Sequence, residues 1–391
     1  MLGAIIGDIA GSIYEVEEMK YIKNGVNFFD RIKILDKNTP LFTDNSSYTD
    51  DTILTVAIAN SLLTDKDYNK NLKEFGLKEL ELGLDKYGRG RFSFMFTKWL
   101  KGNYIGESFG NGCAMRISPI ANFYNDLSKI KEETKNATFP SHNHMESYKY
   151  AEITSVVIYL CKEKTDKIVI KDYIETNYNC SLDFDLEELQ KNNKFTSRAD
   201  ITVRQAIYCF LISNSFEDAI RKSISIGGDS DTIAAITGSF AEAYYGIDDF
   251  LIKEVEPYLP EYIINIVNSF YNKIGKEKPF KNILKEFLKE QNIYNENYFD
   301  FMKGKIKVLP SDTSLELFGC FPIVEDGILK DIRMTVPEIK TEKNLLVNIH
   351  EHVHGLELFN ELGSFYNEKK EERGSNASNM EKIYLKTKKP I

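Results

Sequence analysis

Four apolar stretches of this chain repeat at helical rather than strand period, and they constrain its architecture more than any other feature. Residues 52–64 put Ile53, Val56, Ala57, Asn60 and Leu63 on one helical face, and residues 148–162, 199–213 and 232–245 read the same way. Proline is scarce through this region, and alternating runs joined by hairpin turns are hard to find, so residues 1–285 are expected to form an all-α globule. Composition shifts at Lys273-Ile-Gly-Lys-Glu-Lys-Pro-Phe280 and through the Lys/Glu/Asn-rich segment that follows to about Asn297, which reads as a linker. A second, small α+β domain is expected over residues 296–391. It has β-rich runs between 305 and 340, then a helix in which Leu345, Leu346, Ile349, Val353, Leu356, Phe359 and Leu362 keep a helical period. A length of 391 residues suits two such domains.

Charge and cysteine content narrow the function classes. Lys plus Arg number 50 against 59 Asp plus Glu, and a net charge of −9 argues against nucleic acid or anionic lipid as the main partner. Five separated cysteines, Cys113, Cys161, Cys180, Cys209 and Cys320, form no Cys-x-x-Cys pair, which fits a reducing cytoplasm better than a disulfide framework. The longest charge-free stretch, Thr52–Thr64, has 13 residues. A membrane span needs roughly 18 or more, so no membrane role is expected.

Two acidic clusters sit at helix starts: Thr49-Asp50-Asp51-Thr52 before the 52–64 helix, and Gly227-Gly-Asp229-Ser-Asp231-Thr232 before the 232–245 helix. Capping explains one carboxylate at such a place, because a side-chain oxygen satisfies free backbone N–H groups and the helix dipole favours negative charge. Each cluster has two, flanked by hydroxyls. That all-oxygen set suits a hard divalent cation such as Mg²⁺, and the pairs read as halves of one site. Gly227 and Gly228 allow the sharp turn that would project Asp229 and Asp231 together.

These clusters occur in order with Gly3-Ala-Ile-Ile-Gly-Asp8-Ile-Ala-Gly-Ser-Ile-Tyr-Glu15, Gly110-Asn-Gly-Cys-Ala-Met-Arg-Ile-Ser-Pro119 and Ser141-His-Asn-His144. The set resembles the ADP-ribosylglycohydrolase family over residues 1–275. The resemblance implies an all-α fold with a binuclear centre of two Mg²⁺ (or Mn²⁺) ions, and hydrolysis at the ribose C1″ linkage of an ADP-ribosylated protein or small ADP-ribosyl substrate. It implies metal ligands at Thr49, Asp50, Asp51, Asp229, Asp231 and Thr232, with Asp50 and Asp51 also counted among the catalytic residues. Glu15 matches a mobile-loop glutamate and is the first choice for the acid/base, against its belonging to a solvated acidic run, Glu15-Val-Glu-Glu18. Ser108, Gly110, Asn111 and Gly112 resemble a ligand-cradling loop whose glycines let backbone N–H groups approach a pyrophosphate. His142 matches a histidine near the ligand. Asp8 and the glycines around it are expected to serve packing and capping, and His144 and Glu146 structural roles. Arg89-Gly-Arg-Phe-Ser-Phe-Met-Phe96 and Met145 depart from the family pattern, which leaves the cleaved linkage open.

His350-Glu-His-Val-His354 satisfies H-E-x-x-H, with His350 and His354 one helical turn apart. The segment resembles the small gluzincin kind of zincin metallopeptidase, which implies Zn²⁺ on His350 and His354, Glu351 as general base, and a third ligand among Glu372, Glu371 and Glu368. The leading expectation is therefore an ADP-ribosyl hydrolase with a C-terminal zinc-binding domain. Its rivals are a zinc peptidase that uses the N-terminal domain for recognition, and a non-catalytic ADP-ribose sensor.

Overall fold

A computed structural model describes residues 1–18, 31–83, 90–280, 320–325 and 328–334. The chain divides into two compact units, Met1–Phe280 and Lys281–Ile391. Among its described residues the first unit is built from helices: α1 (Leu2–Glu18), α2 (Asp50–Leu63), α3 (Tyr68–Glu81), α4 (Phe94–Leu100), α5 (Ser118–Phe123), α6 (Leu127–Thr138), α7 (Met145–Lys162), α8 (Lys167–Tyr178), α9 (Leu186–Asn192), α10 (Ala199–Leu211), α11 (Phe216–Ser225), α12 (Ser230–Tyr245), α13 (Asp249–Val255) and α14 (Glu261–Lys273), with short 3₁₀ turns between some of them. In the second unit, β1 (Cys320–Glu325) and β2 (Ile328–Met334) pair antiparallel from Cys320 opposite Met334 to Glu325 opposite Ile328. His350, Glu351, His354, Glu368, Glu371 and Glu372 lie outside the described residues.

Helix starts follow the side-chain oxygens. Thr49, Asp67, Ser93, Asp126, Asp166, Asp185 and Ser215 each accept a hydrogen bond from a first-turn backbone N–H of the helix they precede. His144 does the same for α7 through Nδ1, which accepts from Glu146 N at 3.2 Å. Helix ends use lysines. From the α7–α8 junction, Lys162 Nζ donates to the carbonyls of Ala121 and Tyr124 at the end of α5, and Lys164 Nζ to Ala243 O and Tyr244 O at the end of α12. Lys167 Nζ donates to Phe210 O and Leu211 O at the end of α10. Each ammonium meets the negative end of a helix dipole, so one short segment ties three helices together.

The apolar stretches lie in α2, α7, α10 and α12, but the expected stripe on α2 is corrected. Residues 51–59, Ser61 and Leu62 are buried around the whole circumference of α2, and Asn60 and Leu63, assigned to the inner face, are less buried than they are. A helix enclosed on all sides needs no polar face, so spacing alone could not orient it. α12 is more enclosed still, with Ser230 to Ala243 all buried, and it packs on α1, α7, α10 and α11.

The closest packing joins α1 to α12. Gly3, Gly7 and Gly11 recur every fourth residue and form a side-chain-free ridge on α1. A Cβ built on Gly11 would lie 2.6 Å from Ser230 O, and one on Gly7 would overlap the Ala234 carbonyl still more severely. Gly3 and Gly238 stand in the same relation to each other's carbonyl oxygens. The expectation that the N-terminal glycines serve packing thus has a specific form: backbone against backbone. Gly7→Ala should lower stability by about 1–3 kcal/mol, or more if the helices cannot separate. Gly90→Ala, whose Cβ would meet only Phe92 O, at 3.7 Å, among the described residues, should stay near wild type. Thermal unfolding of the two variants side by side checks this, and equal midpoints would refute it.

Candidate active site

Because α1 and α12 touch along their backbones, Asp8 in the middle of α1 faces the starts of α2 and α12. Its Oδ2 accepts from Thr49 N at 2.9 Å and Thr52 N at 3.0 Å, and its Oδ1 accepts from Thr49 Oγ1 at 2.7 Å. Thr52 Oγ1 donates to it as well. Asp8 therefore caps α2 from another helix, while Thr49 Oγ1 accepts from Asp51 N. With Asp51 N and Thr52 N served in this way, the Asp51 carboxylate is not needed to cap them. Its Oδ2 accepts from Thr232 Oγ1 at 3.1 Å, and its buried Oδ1 has no hydrogen-bond partner.

At α12 the capping explanation also falls short. Asp229 occupies the N-cap position but makes no side-chain capping bond; its Oδ2 accepts from Asn111 Nδ2 at 2.7 Å. The turn before it places Gly227 at φ 68° and Gly228 at φ 79°, left-handed values that favour glycine. A reciprocal amide pair steadies this turn: Gln205 Nε2 donates to Asn193 Oδ1 at 2.8 Å, and Asn193 Nδ2 donates to Gly227 O at 3.2 Å.

The result is two three-carboxylate groups that share Asp231, namely Asp8, Asp51 and Asp231, and Glu15, Asp229 and Asp231. In each, one oxygen from every residue lies within 4.8 Å of the others. Glu15 is partly buried on α1, not on a loop. Asp8, read from the sequence as a capping residue only, joins the cluster, and Asp50 belongs to neither group although it lines the cavity.

Burial pushes the Asp51 and Asp231 carboxyls well above the usual carboxylate range, and repulsion from Asp231 and Asp229 respectively adds to it. Burial, then the charge of Glu15, pushes Asp229 up to about 7. Buried oxygens that repel one another, an unpartnered Asp51 Oδ1 and an all-oxygen donor set fit a hard divalent cation.

These carboxylates line a cavity of about 730 Å³. Glu15, Thr49, Asp50, Asp51, Asp229, Asp231 and Thr232 share it with Ser108, Gly110, Asn111, Gly112 and His142. The glycine loop differs from a simple backbone cradle. Gly110 N donates to Ser108 Oγ at 3.1 Å and Asn111 N to Ser197 O at 2.8 Å, so these two amides are already engaged. Gly112 makes room instead: a Cβ there would sit 3.1 Å from His142 Nε2. Arg91, Phe92 and Phe96 of the divergent segment line the same cavity. Sequence reasoning did not single out Arg116, which is fully buried behind His142 and donates to Ser141 Oγ at 2.8 Å.

The family model for ADP-ribosylglycohydrolase matches residues 1–278. The chain belongs to the ADP-ribosylglycohydrolase family. It is 26% identical over 309 residues to human ADP-ribosylhydrolase ARH3, covering 63% of this chain and 85% of the relative. The mouse ARH3 protein is 24% identical over the same length, with 83% of it covered. ADP-ribosylarginine hydrolase Tri1 of Pseudomonas putida (strain GB-1) is 25% identical over 153 residues, which are 38% of this chain and 41% of that protein. A solved structure described as an ADP-ribosylglycohydrolase-related protein complex shares the fold, with a TM-score of 0.50, 19% identity, and coverage of 70% of this chain and 97% of that one.

The carboxyl shifts carry a stability signature. Without metal, the folded carboxyls hold protons that the unfolded chain releases near its usual value of 3.8, so stability falls as pH rises from about 4 to about 7, the value reached by Asp229. Asp231→Asn removes one of the repelling charges. In metal-free protein at pH 8 it should raise the unfolding midpoint and flatten the pH dependence, and it should weaken stabilisation by added Mg²⁺. Thermal melts with and without chelator test this, and a lower metal-free midpoint at pH 8 would count against it.

Proposed function

We propose that this chain is a Mg²⁺-dependent ADP-ribosyl hydrolase that cleaves the C1″ linkage of an ADP-ribosylated protein or small ADP-ribosyl substrate. One observation carries the reading: two acidic helix starts and Glu15 converge on Asp231 in a cavity that also holds the 108–112 loop and His142. Membership of the family and the names of the ARH3 and Tri1 relatives point the same way.

In this reading Thr49, Asp50, Asp51, Asp229, Asp231 and Thr232 hold the metal, with the Asp8 carboxylate beside Asp51 and Asp231. Mg²⁺ held there would supply positive charge to offset the carboxylate repulsion and to orient ribose hydroxyls or water. Ser108, Asn111 and His142 bind and orient the rest of the ligand, and Asn111 also holds Asp229 through its 2.7 Å hydrogen bond. Glu15 lines the cavity and lies beside Asp229 and Asp231. Its carboxylate takes a proton from the attacking water or, when protonated, gives one to the departing group, as the charge builds at an oxocarbenium-like centre. Phe92, Phe96 and Trp99 give the cavity an apolar wall beside the acidic centre.

Purified full-length protein with Mg²⁺ should release ADP-ribose from at least one member of a panel of Arg-, Ser-, Cys- and nucleic-acid-linked substrates. Asp231→Ala should abolish that release. Glu15→Gln should lower kcat by about 10²-fold or more. No release from any linkage would refute the hydrolase and favour an ADP-ribose sensor. For the C-terminal segment, His350 and His354 support a separate proposal of one Zn²⁺ per chain, and metal analysis that finds no zinc removes both it and the peptidase reading.

A further inference from the structure

The cavity presents His142 as a ligand-facing group, and three buried residues behind it decide which of its nitrogens carries the proton. Arg116 Nη2 donates to Ala137 O at 3.0 Å and to Ser141 Oγ at 2.8 Å. A guanidinium has no acceptor, so Ser141 Oγ accepts in that bond and its own hydrogen needs another partner. Among the described residues the only acceptor it reaches is His142 Nδ1, at 2.8 Å. Were Nδ1 protonated, the Ser141 hydroxyl hydrogen would be buried without an acceptor and would bear the full desolvation penalty of an unmade bond. Nδ1 therefore accepts, and a neutral imidazole whose Nδ1 accepts carries its proton on Nε2.

Nε2 lies against the glycine loop, where Cβ atoms built on Gly112 and Gly110 would be 3.1 Å and 4.0 Å away. The ring stays uncharged as well as oriented. Burial pushes His142 well below the usual histidine range, and the charge of Arg116 adds to that. Arg116 itself is fully buried, with Nε and Nη1 making no hydrogen bond. Its positive charge is thus only partly compensated at close range, which disfavours a second cation on the imidazole.

We propose that Arg116 and Ser141 are positioning residues that lock His142 in its neutral Nε2–H form, so that the cavity offers a fixed hydrogen-bond donor to an oxygen acceptor of the ligand. The placement rests on the observed bonds, and the assignment of the ligand as an ADP-ribosyl group rests on the function proposed above. A ligand atom that itself donates a hydrogen bond at this point would be rejected, because Nε2–H has no lone pair to accept it.

The test separates these two layers. Full-length protein labelled with ¹⁵N-histidine, with the His142 signals assigned by their loss in His142→Gln, should show a protonated Nε2 and a bare Nδ1 in long-range ¹H–¹⁵N correlation spectra without ligand. An Nδ1–H pattern in wild type overturns the proposal, and this measurement stands even if variants fold poorly. Ser141→Ala should populate the other tautomer and weaken ADP-ribose binding roughly 3- to 10-fold by calorimetry, the scale of one hydrogen bond. An unchanged tautomer in Ser141→Ala overturns the relay, and an unchanged Kd alongside a shifted tautomer overturns its role in binding. If wild type shows the Nε2–H form but does not bind ADP-ribose, the positioning stands and the ligand assignment falls.

Discussion

The backbone contact between α1 and α12 is the constraint on which the site rests. Glycines at Gly3, Gly7 and Gly11 bring α1 so close to α12 that no side chain fits between them. That approach sets Asp8 and Glu15 of one helix beside Asp231 of the other. A wider spacing would carry both α1 carboxylates away from the cluster. Packing and chemistry are then a single requirement, because the same ridge that buries α1 assembles the carboxylates.

Assembly of the acidic centre works against the stability of the metal-free fold. Asp8, Asp51, Asp229 and Asp231 are all buried, and burial is the largest cause that raises each carboxyl above its usual range. Such a cluster persists only where the surrounding structure over-determines it. Here that structure is visible: four donors hold Asp8, the Gln205–Asn193 pair holds the Gly227 carbonyl, and Asn111 holds Asp229. Lys162, Lys164 and Lys167 stabilise helix ends elsewhere in the unit, and this offsets part of the cost.

Some of the site was legible in residue order. Thr49-Asp50-Asp51 and Gly227-Gly228-Asp229-Ser230-Asp231 carry more carboxylates than capping needs, and the two adjacent glycines before Asp229 signal a turn that other residues resist. Glu15 was harder to place, since an acidic run looks the same on a solvated loop as on the helix it occupies. Asp8 was read as a cap, and it is one, but its second position beside Asp51 and Asp231 depends on a helix more than 200 residues away. Arg116 lies inside the Gly110–Pro119 motif, but nothing in residue order marked it as buried beside the histidine. A charged residue in an apolar run usually marks an exposed face, and only the fold shows it enclosed behind Ser141 and His142.

Local chemistry, by itself, determined the helical character of the described residues within 1–280, the turn at Gly227–Gly228 and the surplus of carboxylates at two helix starts, because propensity, capping and φ preferences act within a few residues. Which of those carboxylates meet was decided only by tertiary structure. Asp51 and Asp231 come together with Asp8, Asp231 and Asp229 with Glu15, and Asp50 stands outside both groups. The physical reason is that an oxygen's place in the cluster depends on the rotation and separation of whole helices. Those are set by glycine ridges and enclosed faces that a one-dimensional pattern does not encode.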